Sequence, residues 1–263
     1  MLPILFTIPL LGGIPIYTYG VLVAIGFLVG ISWTGHEAKK AGVNPDFIID
    51  LAFYVVVAGI VGSRILYILV GWEHYLASPL EIFMIWKGGL VFYGGLIGAI
   101  LMTWFYSRYK KQRFLLSADL LIPGVALGHV FGRLGCFAAG CCYGKPVLGA
   151  PFWALRFPEI TTTLAPTGID LYPSQLMESA SNLVLFILLV LIRKRKKFEG
   201  QIILSYVVLY GVARSTLELF RGDKIRGFVI ADILSTSQTI SLLMILGALV
   251  LYWKLWKQKD NIL

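Results

Sequence analysis

Three arginines lie inside long apolar segments of the chain, where a charged side chain is costly. Arg64, Arg133 and Arg214 each fall within such a segment, and placing an arginine in hydrocarbon costs about 2.5–3.5 kcal/mol even on a lenient insertion scale. The planar guanidinium group binds phosphate through two parallel hydrogen bonds. These positions therefore predict an electropositive pocket for an anionic, phosphate-bearing ligand inside a membrane.

The three arginines are expected to lie at a similar depth. Each precedes the outer end of its segment by roughly 6–12 Å at the helical rise of 1.5 Å per residue. A structural role stays open, because Glu218 follows Arg214 by one helical turn and can neutralise it. Tyr210, one turn before Arg214, completes a Tyr–Arg–Glu stripe that would orient the guanidinium toward a ligand phosphate. Other acidic candidates are Asp119, Glu178 and Asp232.

The composition places these segments in a membrane. The 263 residues are 58% hydrophobic and 14% charged, with a mean hydropathy of +0.80, which exceeds what the one-sided helices of a soluble domain need. A net charge of +9 would suggest nucleic acid in a soluble protein. Basic cytoplasmic loops account for it here, so no nucleic-acid partner is expected. Residues 1–13 lack Lys, Arg and a cleavage signal, so no removable signal peptide is expected.

The apolar pattern predicts an all-α polytopic membrane protein, with about seven transmembrane helices in one domain over residues 1–263. The predicted spans are Tyr17–Trp33, Phe47–Trp72, Leu90–Tyr106, Ser117–Phe137, Ser174–Ile192, Gln201–Phe220 and Ser237–Trp256. The longest connection, residues 138–173, is rich in Gly, Pro and Thr and is predicted to form a small periplasmic cap.

The distribution of basic residues predicts the orientation. Fourteen Lys and Arg residues follow the odd-numbered spans, and six lie on the opposite side. The positive-inside bias therefore places the N-terminus in the periplasm and the C-terminus in the cytoplasm of a multi-pass protein of the bacterial inner membrane. The arginines would then face the leaflet where secreted proteins emerge.

Glycines and tyrosines gather at the predicted outer ends of the spans. Gly94 and Gly98 form a small-x3-small face, which is typical of close helix packing. Gly94 and Gly95 follow Tyr93 directly, and glycines there would also let a lipid headgroup approach the backbone. Tyr19 and Gln175 open the first and fifth spans at the same level. An interfacial anchoring role stays open for each tyrosine.

Three cysteines follow the second arginine. Cys136, Cys141 and Cys142 are expected to face the oxidising side, where one disulfide with a thiol left over and three inert small side chains are equally favoured. A zinc site that includes His129 is less favoured, because H-x6-C-x4-C-C is not a familiar ligand spacing. The sequence therefore predicts no metal ligand.

Taken together, the motifs resemble those of the prolipoprotein diacylglyceryl transferases over nearly the whole chain. They are Gly-Ser-Arg-Ile-Leu-Tyr at 62–67, Gly-Gly-Leu-Val-Phe-Tyr-Gly-Gly-Leu-Ile-Gly at 88–98, Gly-Arg-Leu-Gly at 132–135, Tyr-Pro-Ser-Gln-Leu at 172–176, Tyr-Gly-Val-Ala-Arg at 210–214 and Ser-Thr-Ser-Gln at 235–238. The family also has seven spans and an outer N-terminus, which agrees with the topology predicted from hydropathy and charge.

The resemblance implies a transferase that moves the diacylglyceryl group of phosphatidylglycerol onto the thiol of the lipobox cysteine of a prolipoprotein, the first step of bacterial lipoprotein maturation. A thioether forms and glycerol phosphate leaves, and preorganised arginines suit this step because negative charge develops on the leaving group.

By the family pattern, Arg133 holds the lipid phosphate and Arg214 assists catalysis. The other predicted substrate-binding residues are Tyr19, Arg64, Gly94, Gly95, Gln175, Tyr210 and Glu218. The phospholipid is itself the donor, so no cofactor is expected, and the expected partners are this lipid, the lipobox peptide and membrane lipids.

The chain departs from the family pattern in two places. The family usually has His at the position of Tyr93, and that His has been proposed as the base that activates the thiol; a tyrosine is a poorer base at neutral pH. The family also usually has Asn, Asn and Glu at the positions of Cys136, Ala139 and Cys141. Our hypothesis is that His129, one turn before Arg133, takes over or supports proton removal. The alternative is that His129 hydrogen-bonds a neighbouring backbone carbonyl.

Two other function classes stay open. A transporter or flippase for an anionic substrate would also need intramembrane arginines, although the sequence has no inverted repeat and no paired broken helices. A divergent relative that binds the phospholipid without transferring its diacylglyceryl group is the other alternative.

Overall fold

The computed structural model describes residues 3–9, 13–84, 88–149, 151–159, 164–222, 228–230 and 234–260. Within these ranges the chain is mostly helical. The helices are α1 (Thr18–Lys40), α2 (Pro45–Val70), α3 (Trp72–Ala77), α4 (Phe92–Tyr109), α5 (Phe114–Ala139), α6 (Ser174–Lys194), α7 (Gln201–Glu218) and α8 (Thr236–Asp260), with a 3-10 helix at Pro79–Phe83. Asp232, one of the predicted acidic partners, lies outside the described residues.

Six short strands form three antiparallel pairs. They are β1 (Ile4–Ile8) with β2 (Ile14–Tyr17), β3 (Leu155–Arg156) with β4 (Asp170–Leu171), and β5 (Phe228–Ile230) with β6 (Leu234–Ser235). The second pair belongs to the connection between α5 and α6, so part of the predicted cap has regular structure.

Each predicted span coincides with a long helix, and five of those helices are long and apolar enough to cross a membrane. The five are α1, α2, α5, α6 and α8. Large apolar side chains on their surfaces are exposed, including Leu28, Phe53 and Leu69, as expected where helices contact lipid tails. The chain is therefore a multi-pass membrane protein. The remaining helices, α4 and α7, have 18 residues each and fall outside the five spans, so a total of seven stays a prediction.

The described helices divide into two compact units, and the first comprises residues 1–33 and 122–263. Within it, α1 and α5 approach closely through glycines one turn apart on each helix. A methyl group added at Gly26 would lie 2.8 Å from the carbonyl oxygen of Gly128, and one at Gly30 would lie 2.7 Å from that of Gly124. Only residues without a side chain permit this separation of the two backbones.

The core of the first unit is formed by α5, α6 and α7. Ala126, Leu189 and Ile202 are fully buried, and Phe186 and Tyr206 pack against them. The connection between α5 and α6 has a small core of its own, in which Phe157, Ala165 and Leu171 are buried. These contacts fix the ends of α5, α6 and α7 with respect to one another.

The second unit comprises residues 34–121. The small-x3-small prediction for α4 is confirmed: a methyl group at Gly94 would collide with the carbonyl oxygen of Gly62, and one at Gly98 with that of Ala58. Its apolar core includes the fully buried Ile48, Leu51 and Leu120, with Phe47 and Tyr106 stacked at 5.6 Å between ring centroids.

Candidate active site

A buried glutamate in the first unit joins two arginines. Glu178, on the second turn of α6, accepts from Nε of Arg133 through Oε2 and from Nη1 of Arg221 through Oε1, both at 2.7 Å. The Glu178 side chain is 4% exposed, whereas that of Arg133 is 17% exposed. The carboxylate thus fixes the orientation of Arg133, and part of that guanidinium stays accessible.

Neighbouring polar contacts hold Glu178 in place. One residue further along α6, the Ser179 hydroxyl donates to the carbonyl oxygen of Val130 at 3.0 Å and ties α6 to α5. The Asn182 amide donates to the backbone carbonyl of Glu178 at 2.8 Å. Because all three side chains are buried, the glutamate has little freedom to leave the two arginines.

Arg221 is positioned by the cap segment. The backbone after α7 pairs with the chain after α5: Lys145 N–H donates to Phe220 O at 2.9 Å and Gly222 N–H donates to Tyr143 O at 3.1 Å. Arg221 lies between these two bonds, opposite Gly144. Its side chain is therefore directed inward, and it is 2% exposed.

A second ion pair lies on α7. Nη2 of Arg214 is 2.5 Å from Oε2 of Glu218, and the two side chains are 13% and 10% exposed. This is the one-turn pairing that the sequence suggested. Nη1 of Arg214 is buried and has no hydrogen-bond partner among the described residues. A buried donor without a partner costs about 1–3 kcal/mol, so this nitrogen is suited to receive a ligand oxygen.

Three aromatic rings stack beside the arginines. The ring of His129 lies over that of Tyr210 at 5.9 Å with an interplanar angle of 24°, and Tyr206 stacks on the same tyrosine at 5.3 Å. Both predicted roles of His129, proton removal and a hydrogen bond to a backbone carbonyl, stay predictions. Tyr210 interacts electrostatically with both Arg133 and Arg214.

Tyr19 lies against the Gly-Arg-Leu-Gly segment. A methyl group at Gly135 would be 3.0 Å from Cδ2 of Tyr19, so the glycine allows the ring to rest on the α5 backbone two residues after Arg133. The tyrosine is 45% exposed. It therefore combines a fixed position near the arginine with an accessible surface.

Gln175, predicted to bind substrate, contacts the backbone of the same unit. Its Nε2 donates to the carbonyl oxygen of Cys141 at 2.8 Å, and the side chain is almost completely buried. The adjacent Ser174 donates to the carbonyl oxygen of Cys142 at 3.0 Å. These contacts give Gln175 a positioning role for the turn after α5, and direct contact with substrate stays a prediction.

Arg64 belongs to the second unit and is surrounded by backbone carbonyls. Four of its five N–H donors are used: Nε bonds to Ile82 O at 3.0 Å, Nη1 to Gly88 O at 2.8 Å and Gly89 O at 3.2 Å, and Nη2 to Glu81 O at 2.5 Å. The guanidinium also lies over the rings of Tyr67 and Tyr75, at 5.6 and 5.5 Å. A cavity of about 440 Å³ opens beside it. These contacts favour the structural role for Arg64.

Tyr93 and the two glycines after it begin α4 in the second unit. Tyr93 is 39% exposed and contacts Phe92 edge to face. Gly94 packs on Gly62, and a methyl group at Gly95 would be 2.5 Å from Oγ of Ser63. The glycines thus have a packing role on α2, and their approach to a headgroup stays a prediction.

Comparison with known proteins identifies the family. The prolipoprotein diacylglyceryl transferase family model matches residues 3–254. The chain is 38% identical over 249 residues to the phosphatidylglycerol–prolipoprotein diacylglyceryl transferase of Clostridium tetani, with 94% of each chain covered. It is 33% identical to the enzyme of that name from Halalkalibacterium halodurans, covering 92% of this chain and 83% of the relative. It is also 35% identical to transferase 2 of Clostridium perfringens, covering 91% of both.

The length of the family match and the level of identity both establish family membership. The matched range contains Arg64, Arg133, Arg214, Glu178 and Arg221. The chain belongs to the prolipoprotein diacylglyceryl transferase family.

Proposed function

We propose that this protein transfers the diacylglyceryl group of phosphatidylglycerol to the lipobox cysteine thiol of prolipoproteins, the first step of bacterial lipoprotein maturation. Family membership supports the reaction class, and the relatives' names give phosphatidylglycerol and prolipoprotein as substrates. The structural observation that supports it most strongly is the buried Nη1 of Arg214, which has no partner among the described residues.

The phosphodiester binds between Arg133 and Arg214. Glu178 fixes the first guanidinium and Glu218 the second, so neither side chain needs to reorganise when negative charge develops on the leaving phosphate ester. Nη1 of Arg214 donates to a phosphate oxygen, and Tyr210, which interacts with both arginines, lines the space between them. The exposed ring of Tyr19 rests on the α5 backbone at Gly135, two residues after Arg133.

The transfer itself is a substitution at the glyceryl carbon that bears the phosphate. The thiol sulfur of the lipobox cysteine forms a bond to this carbon, the carbon–oxygen bond to phosphate breaks, and glycerol phosphate leaves with the bonding electrons. The thiol proton passes to a base. His129, whose ring stacks beside that of Tyr210, is one candidate for this base, and Tyr93 is the other.

The site faces the periplasmic side of the bacterial inner membrane. The excess of basic residues after the odd-numbered spans supports a periplasmic N-terminus, a cytoplasmic C-terminus and seven spans that include α4 and α7. A periplasmic site meets each precursor as its lipobox emerges, and residues 138–173 form a cap over this side.

The test uses the full chain in vesicles that contain phosphatidylglycerol, with a synthetic lipobox peptide. We expect a mass increase of one diacylglyceryl group on the peptide cysteine and release of one glycerol phosphate for each modified peptide. Arg156 supplies a matched control, because this arginine pairs with Asp170 on the surface of the cap segment. The Arg156→Gln variant should retain turnover, whereas Arg214→Gln should lose it.

Two results would overturn the proposal. Retention of phosphatidylglycerol without any thioether product would identify a phospholipid-binding relative. Movement of the labelled lipid between leaflets without release of glycerol phosphate would identify a transporter.

A further inference from the structure

The three cysteine sulfurs of the chain lie in one cluster. Cys136 is in the last turn of α5, and Cys141 and Cys142 follow the end of that helix. Their Sγ atoms all lie within 4.8 Å of one another, and all three residues are partly exposed. Because the sequence contains no other cysteine, any thiol chemistry of the protein occurs at this cluster.

The end of α5 explains why two of the sulfurs meet. Gly140 adopts a left-handed conformation with φ 66°; its N–H donates to Phe137 O at 3.2 Å, and the N–H of Cys141 donates to Cys136 O at 3.1 Å. This is the hydrogen-bond pattern of a Schellman motif, in which the residue after the glycine folds back over the last full turn. The apolar contact that usually completes the motif is replaced here by two thiols.

The third sulfur is held by contacts from α6. Ser174 and Gln175, both 1% exposed, donate to the carbonyl oxygens of Cys142 and Cys141. Cys142 has a φ of 58°, which is unfavourable for a residue with a side chain. Since surrounding structure must stabilise such a conformation, the two buried donors keep the Cys142 side chain on the cluster.

The spacing of the sulfurs matches the needs of a thiophilic cation. Zn²⁺ binds cysteine sulfur at about 2.3 Å, so three sulfurs around one ion are separated by about 3.8–4.0 Å. Partial exposure of the cluster gives an ion access from solvent.

We propose that Cys136, Cys141 and Cys142 form a three-thiolate binding site for a thiophilic d10 cation of the Zn²⁺ type. Each S–H bond releases its proton to solvent as the corresponding sulfur–metal bond forms, so the step needs no oxidant or reductant. Three protein ligands leave the fourth position of a tetrahedral ion to water. The ion cross-links the end of α5 to the turn that Ser174 and Gln175 hold, next to Glu178.

The experiment measures metal and thiols directly, independently of transferase activity. The full-length protein, reduced and freed of metal in detergent, is titrated with Zn²⁺ against a chromophoric chelator, and thiols are counted with a disulfide reagent before and after. We expect one Zn²⁺ per chain and loss of all three thiols from the reactive pool. Cd²⁺ as a second probe should produce the ultraviolet charge-transfer band of a thiolate complex.

Single variants test each ligand. Cys136→Ser, Cys141→Ser and Cys142→Ser should each weaken Zn²⁺ binding by more than the about 10- to 100-fold typical for loss of a hydrogen-bond partner of a ligand. His74→Ala, which removes an exposed imidazole of the second unit, is the matched control and should bind one Zn²⁺ as before.

Two outcomes would overturn the site. The first is that Zn²⁺ neither protects the thiols nor binds the parent protein more tightly than a triple Cys→Ala variant. The second is that two thiols of the protein isolated without reductant are missing, return only with reductant and never bind Zn²⁺ afterwards, which would identify a disulfide instead. Thiol protection in the unmutated protein decides the matter even if a variant fails to fold.

Discussion

Arg64 and Arg214 are both arginines in apolar helices, yet their surroundings differ. Arg64 donates to four backbone carbonyls and lies over two tyrosine rings. Arg214 is paired with one carboxylate and has a buried nitrogen without a partner among the described residues. The first side chain completes the hydrogen bonds of four backbone carbonyls, those of Glu81, Ile82, Gly88 and Gly89. The second has hydrogen-bonding capacity left for a ligand.

This difference shows that depth in the membrane is not enough to assign a function to an arginine. From the sequence, the cost of burying the charge is compatible with a structural role and with ligand binding. Its hydrogen-bond partners separate the roles, because carbonyl ligands use up the donors, whereas a carboxylate on one edge orients the guanidinium and leaves the other edge for phosphate. Turnover per folded protein should therefore separate an arginine that binds the phosphate from one that only stabilises the backbone.

Glu178→Gln should have the largest effect, because two buried arginines share this carboxylate. Removal of one partner from a buried ion pair costs about 3–5 kcal/mol, so thermal stability falls together with turnover. We expect turnover to fall by about 10³-fold, at the upper end of the loss seen for electrostatic groups. Thermal unfolding and glycerol phosphate release measure the two effects, and unchanged turnover in a folded variant would remove Glu178 from the site.

Arg214→Gln should reduce turnover by about 10²–10³-fold, because it removes the unpartnered donor assigned to the leaving phosphate. Its effect on stability should be smaller than that of Glu178→Gln, because Glu218 is 10% exposed and the pair lies within one helix. The rate of a single turnover with bound phosphatidylglycerol is the measurement. Arg156→Gln provides the baseline, and equal rates for the two variants would contradict the assignment.

His129→Ala should reduce turnover by about 10²-fold if its imidazole takes the thiol proton, the lower end of the range for general base catalysis. The His129→Gln variant controls for the volume lost against Tyr210. Unchanged turnover in His129→Ala would refute this role, and the Tyr93→Phe variant would then test the remaining candidate.

Arg64→Met should have the smallest effect on turnover of these variants, and its main effect should be a loss of stability. Its loss leaves four carbonyl oxygens without their donor, and hydrogen bonds to charged groups are worth about 1.5–3 kcal/mol each. We expect a lower thermal midpoint and turnover per folded molecule within a few-fold of the parent. A large loss of turnover at unchanged stability would instead assign Arg64 to substrate binding.

Much of the fold could be predicted from the sequence because the bilayer imposes a simple rule on apolar length. All seven predicted spans are long helices, and the Gly94–Gly98 face packs closely as expected. The glycine pairs that join α1 and α5 carry the same sequence signal, at Gly26–Gly30 and Gly124–Gly128. The count of seven spans stays a prediction, because α4 and α7 fall outside the five helices that are long and apolar enough to cross a membrane.

The partners of the arginines could be predicted only in part. Glu218 was identifiable because one helical turn separates it from Arg214. Glu178 was one of several distant acidic residues, and sequence spacing across different helices does not rank them. Arg221 directly follows the sixth predicted span, where the apolar pattern identifies no partner; backbone pairing with residues 143–145 buries it beside Glu178.

For the three cysteines, the sequence left a disulfide and inert side chains equally favoured, and it did not place all three sulfurs together. Gly140 directly after α5 is a recognisable Schellman signal, and it brings Cys141 back to Cys136. The position of Cys142 depends on Ser174 and Gln175, which follow in the chain after the whole cap. Contacts across that separation are not visible in a linear spacing pattern.

The most direct test of the account is a single-turnover measurement on Arg133→Ala in phosphatidylglycerol vesicles. Glu178 keeps Arg221 as a partner in this variant, so the helices should stay assembled while the lipid phosphate loses its first guanidinium. We predict that release of glycerol phosphate slows by about 10²–10³-fold relative to Arg156→Gln. Release at the parental rate would contradict the claim that the guanidinium groups of this unit hold the phosphate.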